Sequence, residues 1–127
     1  RIDRCQLTLP TDRIYSCDCR ETKCVAHTAL DFTAPHAIAD TQIDHTFSLP
    51  VDSKAWEVRM VSPSTGMATY LRSDQPWLQI YSGEKLDRQG LAIEPMTCPP
   101  DAFNSAIGLI DLAPGEMHRL HFLIGTE

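Results

Sequence analysis

Short apolar-alternating segments separated by Pro- and Gly-containing turns fill this chain, and no stretch of about ten or more residues carries a capped helical stripe. Gln6 to Leu9 ends at Pro10, and Arg13 to Ser16 runs into a polar turn over residues 18–23. Lys54 to Val61 alternates, with Ala55, Glu57, Arg59 and Val61 on one face and Trp56, Val58 and Met60 on the other. Ser62-Pro-Ser-Thr-Gly66 is a turn signal from which Met67 to Arg72 returns, and this predicts a hairpin. Further strands are expected over 77–81, 90–94, 106–112 and 117–124, with Pro114-Gly115 marking a tight turn before the last. Residues 34–45 read as a loop. Strands recurring at roughly 8 to 12 residues predict an all-β sandwich or barrel.

A chain of 127 residues, 43% of them hydrophobic, fits one domain over 1–127 and can bury a real core. The net charge of −6, with Arg and Lys scattered, argues against a nucleic-acid surface. The longest apolar runs are only a few residues, so no membrane span is expected, and no leader segment is visible. The start at Arg1, with strand-like residues almost at once, reads as the inside of a larger fold. Cys17, Cys19 and Cys24 form a C-x-C-x4-C cluster, with Cys5 and Cys98 apart from it. The cluster lacks the C-x2-C spacing of a zinc site, and His118 and His121 would lie on opposite faces of the strand expected there. No metal and no disulfide framework are expected; reduced thiols in a cytoplasmic protein are.

Chemistry concentrates near one apolar run. Gly90 to Glu94 reads as a short strand in which Leu91 and Ile93 share one face and Ala92 and Glu94 the other. Pro95 cannot donate to a ladder, so pairing is expected to stop there. Glu94 then stands at a strand end before a Pro-rich loop. It is placed either as a general base toward a substrate lying across the sheet or as a solvated edge carboxylate. Trp77, Gln79 and Tyr81 share the face opposite the core residues Leu78 and Ile80. An aromatic beside an amide suits a sugar, and it also suits an ordinary outward sheet face. Asp44, in the passage from Ile43 to Phe47, can accept from two vicinal hydroxyls or serve as a turn residue. His45 beside it reads as structural.

The block Gly90-Leu-Ala-Ile-Glu-Pro-Met-Thr-Cys-Pro-Pro-Asp-Ala-Phe-Asn-Ser105, with Leu112-Ala-Pro-Gly-Glu116 after it, resembles the C-terminal region of the aldose 1-epimerase (galactose mutarotase) family. Asp31-Phe32-Thr33, Ile43-Asp44-His45-Thr46-Phe47 and Trp77-Leu78-Gln79-Ile80-Tyr81-Ser82-Gly83 are similar to family segments in the same order. The resemblance spans nearly the whole chain but only the second half of a family member. It implies an antiparallel β-sandwich, part of a mutarotase-like supersandwich, acting on a monosaccharide (hexose) without a metal or other cofactor. By that resemblance Glu94 is the catalytic base, while Asp44 and Gln79 bind substrate hydroxyls. Glu94 takes the anomeric proton, a histidine protonates the ring oxygen, and the opened aldehyde rotates and recloses. The family's acid histidine, a second sugar-binding histidine and an arginine lie in the N-terminal half, and His27, His36, His45, His118 and His121 match none of these positions. The chain is therefore expected to join that missing half or to form a homo-oligomer. A non-catalytic carbohydrate-binding module and a structural fragment are the competing readings.

Overall fold

Turn-forming residues cut the chain into ten short strands among residues 1–49 and 55–127, which the computed structural model describes. The strands are β1 (Gln6–Thr8), β2 (Arg13–Ser16), β3 (Glu21–Cys24), β4 (His36–Ala37), β5 (Asp44–Ser48), β6 (Trp56–Val61), β7 (Ala68–Ser73), β8 (Trp77–Tyr81), β9 (Ala92–Met96) and β10 (Phe122–Thr126). They form two five-stranded antiparallel sheets, ordered β10-β7-β6-β1-β4 and β3-β2-β5-β8-β9. Leu7, Val58 and Leu71 of the first sheet join Phe47, Leu78 and Ile80 of the second in one buried cluster. That is the period-2 pattern read as a sandwich core, each such side chain contributing about 1.5–3 kcal/mol by leaving water. Among the described residues no helix is long and apolar enough to cross a membrane.

Several boundaries differ from the sequence expectation. The strand expected over 106–112 does not form: Ala106 at φ 58° and Gly108 at φ 64° break any extended run there, after a single helical turn α1 (Ala102–Ser105). The last strand begins only at Phe122, so His118 and His121 lie outside it and the opposite-face argument does not apply to them. Residues 21–23, taken as part of a polar turn, belong to β3, which closes a hairpin on β2. His36–Ala37, taken as loop, pairs with β1. The Lys54 end of the expected hairpin strand falls outside the described residues.

Pairing also does not stop at Pro95. β9 starts at Ala92 and continues to Met96, with Leu78 opposite Pro95 and Trp77 opposite Met96. β9 is the edge of its sheet, where a missing N–H can face outward without breaking a ladder bond.

The loop from β8 to β9 is pinned tightly. Gly83, at φ 72°, approaches the chain so closely that a Cβ would stand 2.6 Å from the carbonyl oxygen of Gly90. Arg88, with only 11% of its side chain exposed, donates to Asp3 at 2.7 Å, to Glu84 at 2.9 Å and to the carbonyls of Ala39 and Thr41. Ser82, and then Arg88, hold the Glu84 carboxyl below the usual carboxylate range. These contacts anchor the short 3-10 turn Glu84–Leu86 beside β8.

Candidate functional site

One cross-strand row builds the site. Thr22, Tyr15, Thr46, Gln79 and Glu94 are successive ladder partners across all five strands of the second sheet. Partners in register point to the same face, so these side chains stand together opposite the core. Burial falls from the middle of the row toward β9: Tyr15 and Thr46 are buried, Gln79 is half-buried and Glu94 is exposed. Asp44 shares this face because it lies two residues from Thr46 on β5.

The polar groups are tied to one another. Gln79 Nε2 donates to Asp44 Oδ1 at 2.8 Å, and Thr46 Oγ1 donates to Gln79 Oε1 at 2.5 Å. Asp44, Gln79 and Glu94 open, with Tyr81 and Lys85, onto one cavity of about 340 Å³. That is near the lower end of the ~300–1,000 Å³ range of small-ligand sites. The three residues named from the sequence are thus brought together. No histidine lines this cavity among the described residues.

His45 turns to the other side of β5, where its Nδ1 accepts from the backbone N–H of Asp44 at 3.1 Å. Burial pushes its pKa down, and the charge of Asp44 only partly opposes this. His36 stacks on Phe32 with ring centroids 4.3 Å apart and contacts the carbonyls of Asp31 and Ala37. Asp31 accepts from the hydroxyl and N–H of Thr33 and from the N–H of His27, which lowers its pKa from 3.8 to about 2. The Asp31-Phe32-Thr33 segment is therefore a turn that delivers Phe32, fully buried, to the core.

Three residues of the face escaped the sequence reading. Thr46 was reachable, since alternation puts it beside Asp44 once the strand is known to begin there. Lys85 enters the cavity only because the Gly83 turn folds back, which no periodicity announces. Tyr15 packs edge-on against Trp77, centroids 5.3 Å apart, and its buried hydroxyl has no hydrogen-bond partner among the described residues. No group of three or more His, Cys, Asp or Glu side chains gathers as a metal site among the described residues.

The sequence profile of the aldose 1-epimerase family matches residues 1–125. The uncharacterized protein YihR of Escherichia coli (strain K12) is 45% identical over 127 residues, an alignment covering 97% of this chain and 41% of that protein. The chain thus spans about two fifths of the length of this relative.

Proposed function

Because this chain belongs to the aldose 1-epimerase family, we propose that it carries the base side of a sugar-anomerising site. Glu94 takes the proton from the anomeric hydroxyl of a hexose, and Asp44 and Gln79 hold neighbouring hydroxyls. The observation that carries this reading is the register: Glu94 stands directly opposite Gln79, and Gln79 bonds to Asp44, all on one cavity. A ring lying across β5, β8 and β9 meets two carboxylates and an amide, the donor and acceptor set that vicinal hydroxyls need. Proton transfer by a positioned carboxylate needs no metal or nucleotide to supply it.

By the family resemblance the acid that protonates the ring oxygen is a histidine; none lines this cavity among the described residues, and we place that acid outside it. We read residues 1–127 as the C-terminal portion of a mutarotase-like sandwich whose acid stands on the rest of such a protein. The same observation favours a second reading, a carbohydrate-binding module that keeps the hydroxyl contacts without the acid. The apolar side chains Phe122, Leu123 and Ile124, each more than half exposed, offer a surface for that remaining half or for a second copy. We take the setting to be cytoplasmic, in keeping with the five unpaired cysteines.

Saturation-transfer NMR with glucose and galactose, paired with polarimetric mutarotation, tests both readings. Binding lost in Asp44→Ala and Gln79→Ala, with Glu94→Gln removing whatever anomerisation exceeds the spontaneous rate, supports the enzyme. Binding without any Glu94-dependent rate supports the module. Hexose affinity that survives both substitutions would overturn the site.

A further inference from the structure

We propose that Thr46 is a positioning residue of the cleft, one that holds the Gln79 amide in the orientation that Asp44 sets toward a ligand; the inference rests on the sugar-binding reading of Gln79. The Asp44 carboxylate can only accept, so the amide nitrogen must face it, as the 2.8 Å bond records. Asp44 is exposed, however, and water competes for its oxygens. By itself it is a weak lock. The amide oxygen faces the other way, onto the Thr46 hydroxyl at 2.5 Å.

Thr46 is 5% exposed and flanked in the ladder by buried Tyr15, so its bond to the amide is sheltered from water. A sheltered hydrogen bond is stronger, and turning the amide over would strand its oxygen against a carboxylate. Gln79 is therefore held with its oxygen occupied and one Nε2 proton free. Along the Asp44–Gln79–Glu94 line the amide then offers one donor between two acceptors, with Lys85 and Tyr81 adding donors at the side of the cavity. A ligand that fits presents an acceptor flanked by two donors, the pattern of adjacent sugar hydroxyls. An analogue with fluorine in place of the hydroxyl that meets Asp44 is excluded, because fluorine cannot donate.

Thr46→Val keeps the side-chain shape and removes the donor, whereas Thr46→Ser keeps the donor. Thr46→Val is expected to weaken glucose or galactose binding by about tenfold, the effect of one neutral hydrogen bond. Thr46→Ser stays near the native affinity. The side-chain amide resonances of Gln79, identified by their loss in Gln79→Ala, should shift and exchange faster in Thr46→Val and return in Thr46→Ser. Native affinity with unmoved resonances in Thr46→Val overturns the proposal. So does Thr46→Ser behaving like Thr46→Val, which would mark a packing role. If no hexose binds even the native chain while the resonances respond as described, the positioning stands and the sugar reading falls. Should Thr46→Val not fold, a slowly exchanging Thr46 hydroxyl proton in the native chain that vanishes in Gln79→Ala supports the proposal. Its absence from the native spectrum counts against it.

Discussion

The two edge strands β9 and β10 close different sheets and differ in nearly every physical respect. β9 carries Pro95, which denies a donor to any incoming strand, and Glu94, whose charge stands on the cleft face. It is an edge protected against pairing, and its Glu94 opens onto the cavity. β10 has neither device. Phe122 and Ile124 are opposite Ser73 and the core residue Leu71, so they face the side of the sheet that packs inward, yet they are 56% and 62% exposed. Gly125 lets Tyr70 lie against the strand, since a Cβ there would stand 2.4 Å from the Tyr70 hydroxyl. The strand is held firmly on one side and uncovered on the other. An edge that carries a carboxylate and a Pro leaves a polar face, while the other edge leaves apolar side chains uncovered.

Substitutions can break this contrast, and the largest effect is expected at Glu94. Glu94→Gln should cost about 10²–10⁴-fold of any catalysed anomerisation, the usual contribution of a positioned base, with an unchanged melting temperature because the side chain is exposed. Loss of fold together with activity would move Glu94 from the chemistry to the scaffold.

On the opposite edge, Ile124→Lys should leave the core intact and weaken self-association or capture of the complementary half by about tenfold or more, read by sedimentation. Unchanged sedimentation would show that β10 is not a joining surface. The contrast between the edges would then lose one of its sides.

Tyr15→Phe probes the buried root of the row that ends at Glu94. Its hydroxyl is buried without a partner among the described residues, so its removal should be neutral or stabilising by about 1 kcal/mol in urea unfolding. A clear loss of stability would reveal a partner for the hydroxyl.

The smallest effect concerns His45. Its folded pKa lies below its usual 6.5 because burial disfavours the charged ring. The unfolded chain therefore takes up the proton first on acidification. Stability should be full above about pH 6.5 and decline as pH falls from there through the folded value. His45→Gln should flatten that decline in thermal melts recorded between neutral and mildly acidic pH. A decline of the same slope in His45→Gln would assign it to other groups.

The sequence by itself determined the sandwich and the parity of its strands. Alternation placed Leu78 and Ile80 inside and Gln79 outside, and the same rule put Glu94 opposite Ile93, because strand side chains have a fixed period of two. The motif series marked Asp44, Gln79 and Glu94 as members of one set. Only tertiary structure decided register, since parity says which face a residue is on and nothing about which residue stands beside it. The row from Tyr15 through Thr46 and Gln79 to Glu94 joins residues far apart in the chain, set by ladder pairing and core packing together. Register also carried Pro95 into the strand, because an edge position relieves the constraint that makes Pro a breaker elsewhere. The failed strand over 106–112 has the converse reason: its apolar residues suit a strand, but the left-handed turns at Ala106 and Gly108 break the extended backbone that a ladder needs.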